Sequence, residues 1–303
     1  MLSMVHQFYA MASDCAVHLC GEAAEYLELL AAAAEAEVRR IEARYSRYRG
    51  DSELARINKV AATGGVIDID AETAGLIAYA KACFAKSDGA FDITSGLLRT
   101  VWNFSASHLP DQASIDAVLP FIGLDNVALV DSQLHFRRPG MELDFGGLGK
   151  EYAADRAAEV CIDLGGRHGF VDLGGDIRVI GPQPDGQPWS IGIRHPRDAD
   201  KLVAEIALPN GALATSGDYE RFIEVDGRRY CHILDPRTGW PARGLCSVTV
   251  ISDHCLVAGS LSTAAMLKGA DGTAWLHELG VRHIAIDVNG KSRGTEPPLT
   301  RYN

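Results

Sequence analysis

Residues 214–241, ATSGDYERFIEVDGRRYCHILDPRTGWP, decide how this chain is read. Two β-rich runs, YERFIEV (219–225) and RRYCHI (228–233), flank Asp226-Gly227, a dipeptide that strongly marks a two-residue hairpin turn. A hairpin folds its ends together, so Thr215-Ser216-Gly217, read as a turn, is placed near His232. The stretch is dense in reactive side chains: Ser216, Asp218, Tyr219, Arg221, His232, Asp235, Arg237 and Thr238. Beyond His232 the chain breaks at Asp235-Pro236 and again at Thr238-Gly239. A histidine at a strand end before such a turn can hold its ring over a cleft. A structural histidine within a sheet fits the local residues equally well.

Outside this stretch the composition is that of a soluble globular protein. The chain has 303 residues, 47% hydrophobic and 23% charged, enough to bury a sizeable core and read here as one domain over 1–303. A net charge of −11, with no Lys/Arg run, argues against a nucleic-acid footprint. An acidic protein that binds a phosphorylated ligand needs local help from a metal, backbone amides or a few placed cations. The seven cysteines are odd in number and include no CxxC, the pattern of reduced thiols. No basic segment precedes a long apolar run, so no signal peptide, lipobox or membrane span is expected. The expected location is cytoplasmic as the sequence stands, or periplasmic if a leader has been removed.

Taken in order, residues 6–20 read as one or two short strands with Met11 at a bend. An amphipathic helix follows, with Leu27, Leu30, Ala34, Val38, Ile41 and Tyr45 stepping by three or four and Gly50 as its stop. SELARIN (52–58) is a second helical piece, GVIDI (65–69) a strand, and 71–86 a helix. In AFDITSG (90–96), Asp92 reads locally as a cap for the next helix. Trp102 and Phe104 fit a core or a stacking wall. A short helix lies within 108–125, and VALVDSQLHF (127–136) is a hairpin candidate. LDFGGLGK (143–150) joins a strand to a helix through glycines that let the backbone approach an anion. It is neither GxGxxG nor a P-loop. Strands then follow at 168–182, 189–195, 202–208 and 246–252, an apolar helix near 255–268, a helix at 272–279 and a strand at 282–288. Asn289-Gly290 turns into a polar tail. Neither strict βαβ alternation nor an all-β pattern is present. The expected fold is α+β, with a mixed, largely antiparallel sheet and packed helices.

Several of these segments together resemble the ApbE family of FAD:protein FMN transferases: Met11, SRYRGDSELARIN (46–58), GAFDITSG (89–96), LDFGGLGKEYAADRAA (143–158), FVDLGGDI (170–177), IGIRHP (191–196), ATSGDYERF (214–222) with HILDPRTGWP (232–241), and SVTVIS (247–252) with AGSLSTAAML (258–267). They occur in family order over nearly the whole chain. The resemblance implies an ApbE-like fold and an enzyme that moves the FMN half of FAD onto a threonine hydroxyl of an acceptor flavoprotein and releases AMP. FAD is then the substrate, and Mg²⁺ or Mn²⁺ the metal. Two alternatives stay open: an FAD pyrophosphatase giving FMN and AMP, and a non-catalytic FAD-binding or delivery protein.

Position by position, the resemblance implies that Met11, Tyr48, Ala90, Phe91, Asp92, Asp144, Lys150 and Ile233 contact FAD. It makes His232 the catalytic residue, Gly147 a carbonyl ligand of the metal and Thr263 a hydroxyl ligand, with Ser262 beside it. A hydroxyl nucleophile needs a general base, and His232 suits that part. Charge on a pyrophosphate needs a hard cation with oxygen ligands. Two positions depart from the family pattern. The aspartate expected four residues before Thr263 is Gly259, and a glycine of GGIAKG is Glu151. Glu151 therefore reads either as a replacement metal carboxylate or as a solvated first-turn glutamate favoured by the helix dipole.

Overall fold

Alternating burial in residues 2–21 builds the first edge of the main sheet. β1 (Leu2–Ala10) and β2 (Ser13–Gly21) pair antiparallel, with Cys15, Val17 and Leu19 turned inward. Their two-residue turn is Met11-Ala12, and both residues hold positive φ, 52° and 57°. The computed structural model describes residues 1–106 and 108–296. The end of the polar tail expected after Gly290 lies outside them.

Helix α1 (Ala24–Tyr45) buries the predicted stripe of Leu27, Leu30, Ala34, Val38, Ile41 and Tyr45. It ends at Ser46, which leaves helical geometry before Gly50 is reached. α2 (Glu53–Thr63) starts on Ser52, whose side chain accepts the Ala55 N–H, and β3 (Gly65–Asp68) follows. α3 (Ala71–Lys86) is capped in the same way by Asp70. After the short α4 (Gln112–Val118), β4 (Val127–Val130) and β5 (Gln133–Phe136) form the expected hairpin, which joins β3 in a three-stranded sheet. α5 (Gly149–Asp163) leads into β6 (Gly169–Leu173) and β7 (Asp176–Gly181), joined through Gly174-Gly175. β8 (Trp189–His195) and β9 (Asp198–Leu208) pair with each other.

β10 (Ala212–Gly217) contains Thr215-Ser216-Gly217, which are therefore sheet and not a turn. Their small side chains suit a strand over which a helix packs closely. β11 (Phe222–Val225) and β12 (Arg228–Cys231) form the hairpin read from Asp226-Gly227. β13 (Leu245–Ser252), α6 (Cys255–Lys268), α7 (Gly272–Glu278), β14 (Arg282–Asp287) and β15 (Ser292–Gly294) complete the order. The last is a short edge strand where only a polar tail was expected.

The main sheet runs β1-β2-β6-β7-β10-β13-β14-β15. Each of its pairings is antiparallel, so the sheet expected as mixed has no parallel pair among the described residues. Period-two alternation splits its side chains between two covers. Ala212 and Ala214 pack with the helices, in the core that holds Ala34, Ala154 and Ala258. Leu213 faces the other way, in a second core with Ile193 and Ile206 of the β8–β9 hairpin. Strand β13 is consequently buried along nearly its whole length. No helix among the described residues is long and apolar enough to cross a membrane.

A third core anchors the β11–β12 hairpin: Ile223 and Tyr230 pack with Leu98, Trp102 and Ile115. Trp102 is core, with its indole N–H donating to Gly239 O at 2.8 Å and its ring stacked on Phe104. At the hairpin tip Asp226 and Gly227 both have positive φ, and nothing lies within 4 Å of a Cβ added to Gly227. Gly227→Ala therefore isolates the backbone term. It is expected to cost about 1–2 kcal/mol, read as a melting temperature a few degrees lower. An unchanged melt would show that the turn relaxes into another type.

Candidate active site

The glycine turn before α5 draws several predicted residues together. Asp144 is fixed by its own N–H to Ile93 O at 2.8 Å, and its carboxylate accepts from Gly146 N and pairs with Arg47. A Cβ on Gly147 would sit 3.5 Å from the Phe91 ring, and one on Gly149 3.7 Å from Met11 Cε. Phe91 is buried, and its N–H is tied to Ser87 Oγ at 2.9 Å; Ala90 is buried beside it. Met11 holds its left-handed conformation with its N–H on the Glu42 carboxylate. Non-glycine residues occupy that region only when their surroundings force it, and such residues cluster at functional sites.

Two predicted contacts sit differently. The Asp92 carboxylate is buried and engaged by the Thr94 N–H, the Thr94 hydroxyl and the Leu124 N–H. It locks the 90–96 loop and does not cap the next helical turn, Ser95–Thr100, whose N-cap residue is Thr94 with no side-chain cap bond. Tyr48 is 79% exposed, and its link to the site is Arg47, which donates to its hydroxyl at 3.0 Å and reaches Asp144 from the other side.

In the first turn of α5, Lys150 Nζ meets Asp176 Oδ2 at 2.9 Å. Burial opposes the lysine's charge, but the carboxylates of Asp176 and Glu151 outweigh it and raise its pKa. Asp176 is buried at the start of β7. Glu151 is buried too, and so is not the solvated glutamate of one of its two readings. Burial, and then the Asp176 charge, push its carboxyl up. Across from it, α6 presents Ser262 and Thr263, whose hydroxyls lie 2.8 and 2.9 Å from Ser216 Oγ of β10.

His232 follows β12 as an exposed residue, with Nδ1 3.3 Å from Arg221 O. Surrounding protein is the largest influence and lowers its pKa; the hydrogen bond to the Arg221 carbonyl opposes it and the Arg221 charge acts with it. The ring is thus neutral near pH 7 and able to take a proton. Ile233, next in the chain, is buried and offers an apolar surface.

Among the described residues, no group of three or more His, Cys, Asp or Glu could hold a metal. A cation here has to draw on carbonyls and hydroxyls as well as a carboxylate. The Gly147 carbonyl, the Thr263 hydroxyl and the buried Glu151 carboxylate, whose Oε2 has no hydrogen-bond partner, are hard oxygen donors of the kind that suits Mg²⁺ or Mn²⁺. The residues fit such an ion.

Arg47, Asp155 and Asp176 went unread in the sequence. Asp155 accepts the Cys255 and Leu256 N–H groups at 2.8 and 2.9 Å and so fixes the start of α6. A short-range signal existed for Asp176 alone, as the residue that closes the Gly174-Gly175 bend.

The chain is similar to the crystal structure of the ApbE protein from Thermotoga maritima, with a TM-score of 0.90 and 32% identity over 97% of each chain. It is also similar to the apo form of the flavinyl transferase ApbE of Pseudomonas stutzeri, with a TM-score of 0.85 and 30% identity, covering 97% of this chain and 95% of that one. The fold is that of the flavin transferases. In sequence, the FAD:protein FMN transferase of Haemophilus influenzae is 31% identical over 248 residues, 78% of this chain and 72% of that protein. The ApbE family profile matches residues 11–285, and the chain belongs to the ApbE family.

Proposed function

We propose that this chain transfers the FMN moiety of FAD to a threonine hydroxyl of an acceptor flavoprotein, releasing AMP, with His232 as general base. The observation that carries the reading is an exposed histidine, held through Nδ1 near Arg221 O, in a chain whose β10–α6 contact gathers the hydroxyls of Ser216, Ser262 and Thr263. The threonine oxygen bonds to the phosphorus of the FMN half, and the bond from that phosphorus to the bridging oxygen breaks. The threonine proton passes to His232, and AMP leaves with the bridging oxygen. A divalent cation, when bound, neutralises charge on the pyrophosphate. Gly147 O and Thr263 Oγ1 would help to hold it. Lys150 adds positive charge nearby, and Phe91, Met11 and Ile233 give the flavin nucleotide an apolar wall.

One observation favours a different reading, non-catalytic FAD binding. It is the glycine at 259 where the family pattern has a carboxylate. Incubation with FAD and a threonine-bearing acceptor separates the two. The transferase leaves flavin fluorescence on the denatured acceptor and AMP in solution, EDTA abolishes both, and Mg²⁺ restores them. Free FMN and AMP without labelled acceptor would mean hydrolysis. FAD bound with no AMP released, with or without EDTA, would mean a carrier.

A further inference from the structure

Gly259 and Glu151 meet where α6 crosses α5. A Cβ added to Gly259 would lie 2.3 Å from Glu151 Cγ, 2.7 Å from its Oε1 and 2.8 Å from its Cδ. The Glu151 side chain therefore fills the volume that a side chain at 259 would take. It is 7% exposed, and its Oε2 is buried without a hydrogen-bond partner. An unpaired, charged carboxylate oxygen in the interior is strongly disfavoured unless a proton or a cation meets it. Lys150 is already bonded to Asp176.

The direction of the carboxylate gives it a purpose. Gly259 precedes Thr263 by one helical turn, so the two share a face of α6. The Thr263 hydroxyl lies 2.9 Å from Ser216 Oγ, and the Ser262 hydroxyl donates to Gly259 O at 2.9 Å. Glu151 thus brings an acidic oxygen from α5 to the face of α6 that carries the hydroxyl donors.

We propose that Glu151 is the carboxylate ligand of the divalent cation in this chain, exchanged across the α5–α6 contact for the acidic side chain that position 259 lacks. Gly259 is then part of the site, because only a residue without a side chain leaves room for the longer glutamate. The inference rests on the reading above, since that reading supplies the need for a cation.

The test is Mn²⁺ titration of the whole chain without FAD, followed by electron paramagnetic resonance of free Mn²⁺ and by the Mn²⁺-dependent rise in melting temperature. Glu151→Gln keeps the shape of the side chain, so its metal-free melt should match the wild type. Its Mn²⁺ affinity should fall at least about tenfold, since losing a direct ligand should weaken binding no less than losing an outer-shell partner does. The exchanged double variant, Glu151→Gly with Gly259→Asp, should bind Mn²⁺ within about threefold of the wild type. Wild-type affinity in Glu151→Gln overturns the proposal, as does a wild-type chain that binds no Mn²⁺. If Glu151→Gln does not fold, the double variant decides: Mn²⁺ binding supports the exchange and its loss rejects it. A chain that transfers FMN while binding Mn²⁺ independently of Glu151 sinks this inference alone. A chain that binds Mn²⁺ through Glu151 but neither transfers FMN nor releases AMP sinks the functional reading instead.

Discussion

Replacing His232 with alanine is expected to leave FAD binding intact and to slow flavin transfer by about two to four orders of magnitude, the usual cost of a missing positioned base. The ring hangs beyond the end of β12 and is held through Nδ1 near Arg221 O, so its removal takes away no core packing. The hairpin beneath it is anchored independently by Ile223 and Tyr230. Retained FAD binding together with a collapsed rate separates a chemical role from a structural one. The pH profile gives a second check. With its pKa below the ordinary histidine value, His232 is neutral over most of the physiological range. The transfer rate should therefore be level above about pH 7 and fall only as acid protonates the ring below about pH 6.5. Transfer in the alanine variant at the wild-type rate would remove His232 from the mechanism.

The second large effect lies at Asp155. Its buried carboxylate receives the first two N–H groups of α6 and lies 3.2 Å from Arg178 Nε. That Arg178 nitrogen has no hydrogen bond, so the ion pair is close but poorly aligned. Asp155→Ala leaves two helix-end donors and a mostly buried guanidinium without their partner. The expected loss is about 3–5 kcal/mol, the range for breaking one side of a buried pair. Because α6 carries Ser262 and Thr263, the same change should weaken metal binding in whatever fraction stays folded. Thermal and denaturant melts measure the first effect; a loss under about 1 kcal/mol would show that water replaces the carboxylate. Asp155→Asn keeps an acceptor for one N–H and should fall between.

The sequence was most legible where local chemistry fixes local structure. Asp226-Gly227 sets the hairpin because both positions need positive φ, and the three-to-four stepping of apolar residues sets α1. The Leu143–Lys150 turn was visible for a similar reason: glycines before a helix have few other uses. The misreadings share a cause as well. Thr215-Ser216-Gly217 looks like a turn because its residues are small and polar, yet it lies in a central strand where bulk would push α6 away. The α6 N-terminus shows no capping side chain next to it, since its cap comes from α5, a hundred residues earlier in the chain. Asp176, unread in the sequence, is carried under Lys150 by the sheet. Contacts of that kind are made by topology, and no window along the chain contains both partners.

A Cβ at position 259 would come within 2.3 Å of the Glu151 side chain, and this also constrains how such a chain could have arisen. With glutamate at 151, an aspartate at 259 has no room. With glycine at both, the pocket has space but no acid. If Glu151 stands in for an aspartate at 259, neither single-change intermediate is comfortable, and the two positions form an epistatic pair that changes through a weakened intermediate or both together. Relatives should accordingly fall into two lineages, glycine with aspartate or glutamate with glycine, and hybrids should be scarce.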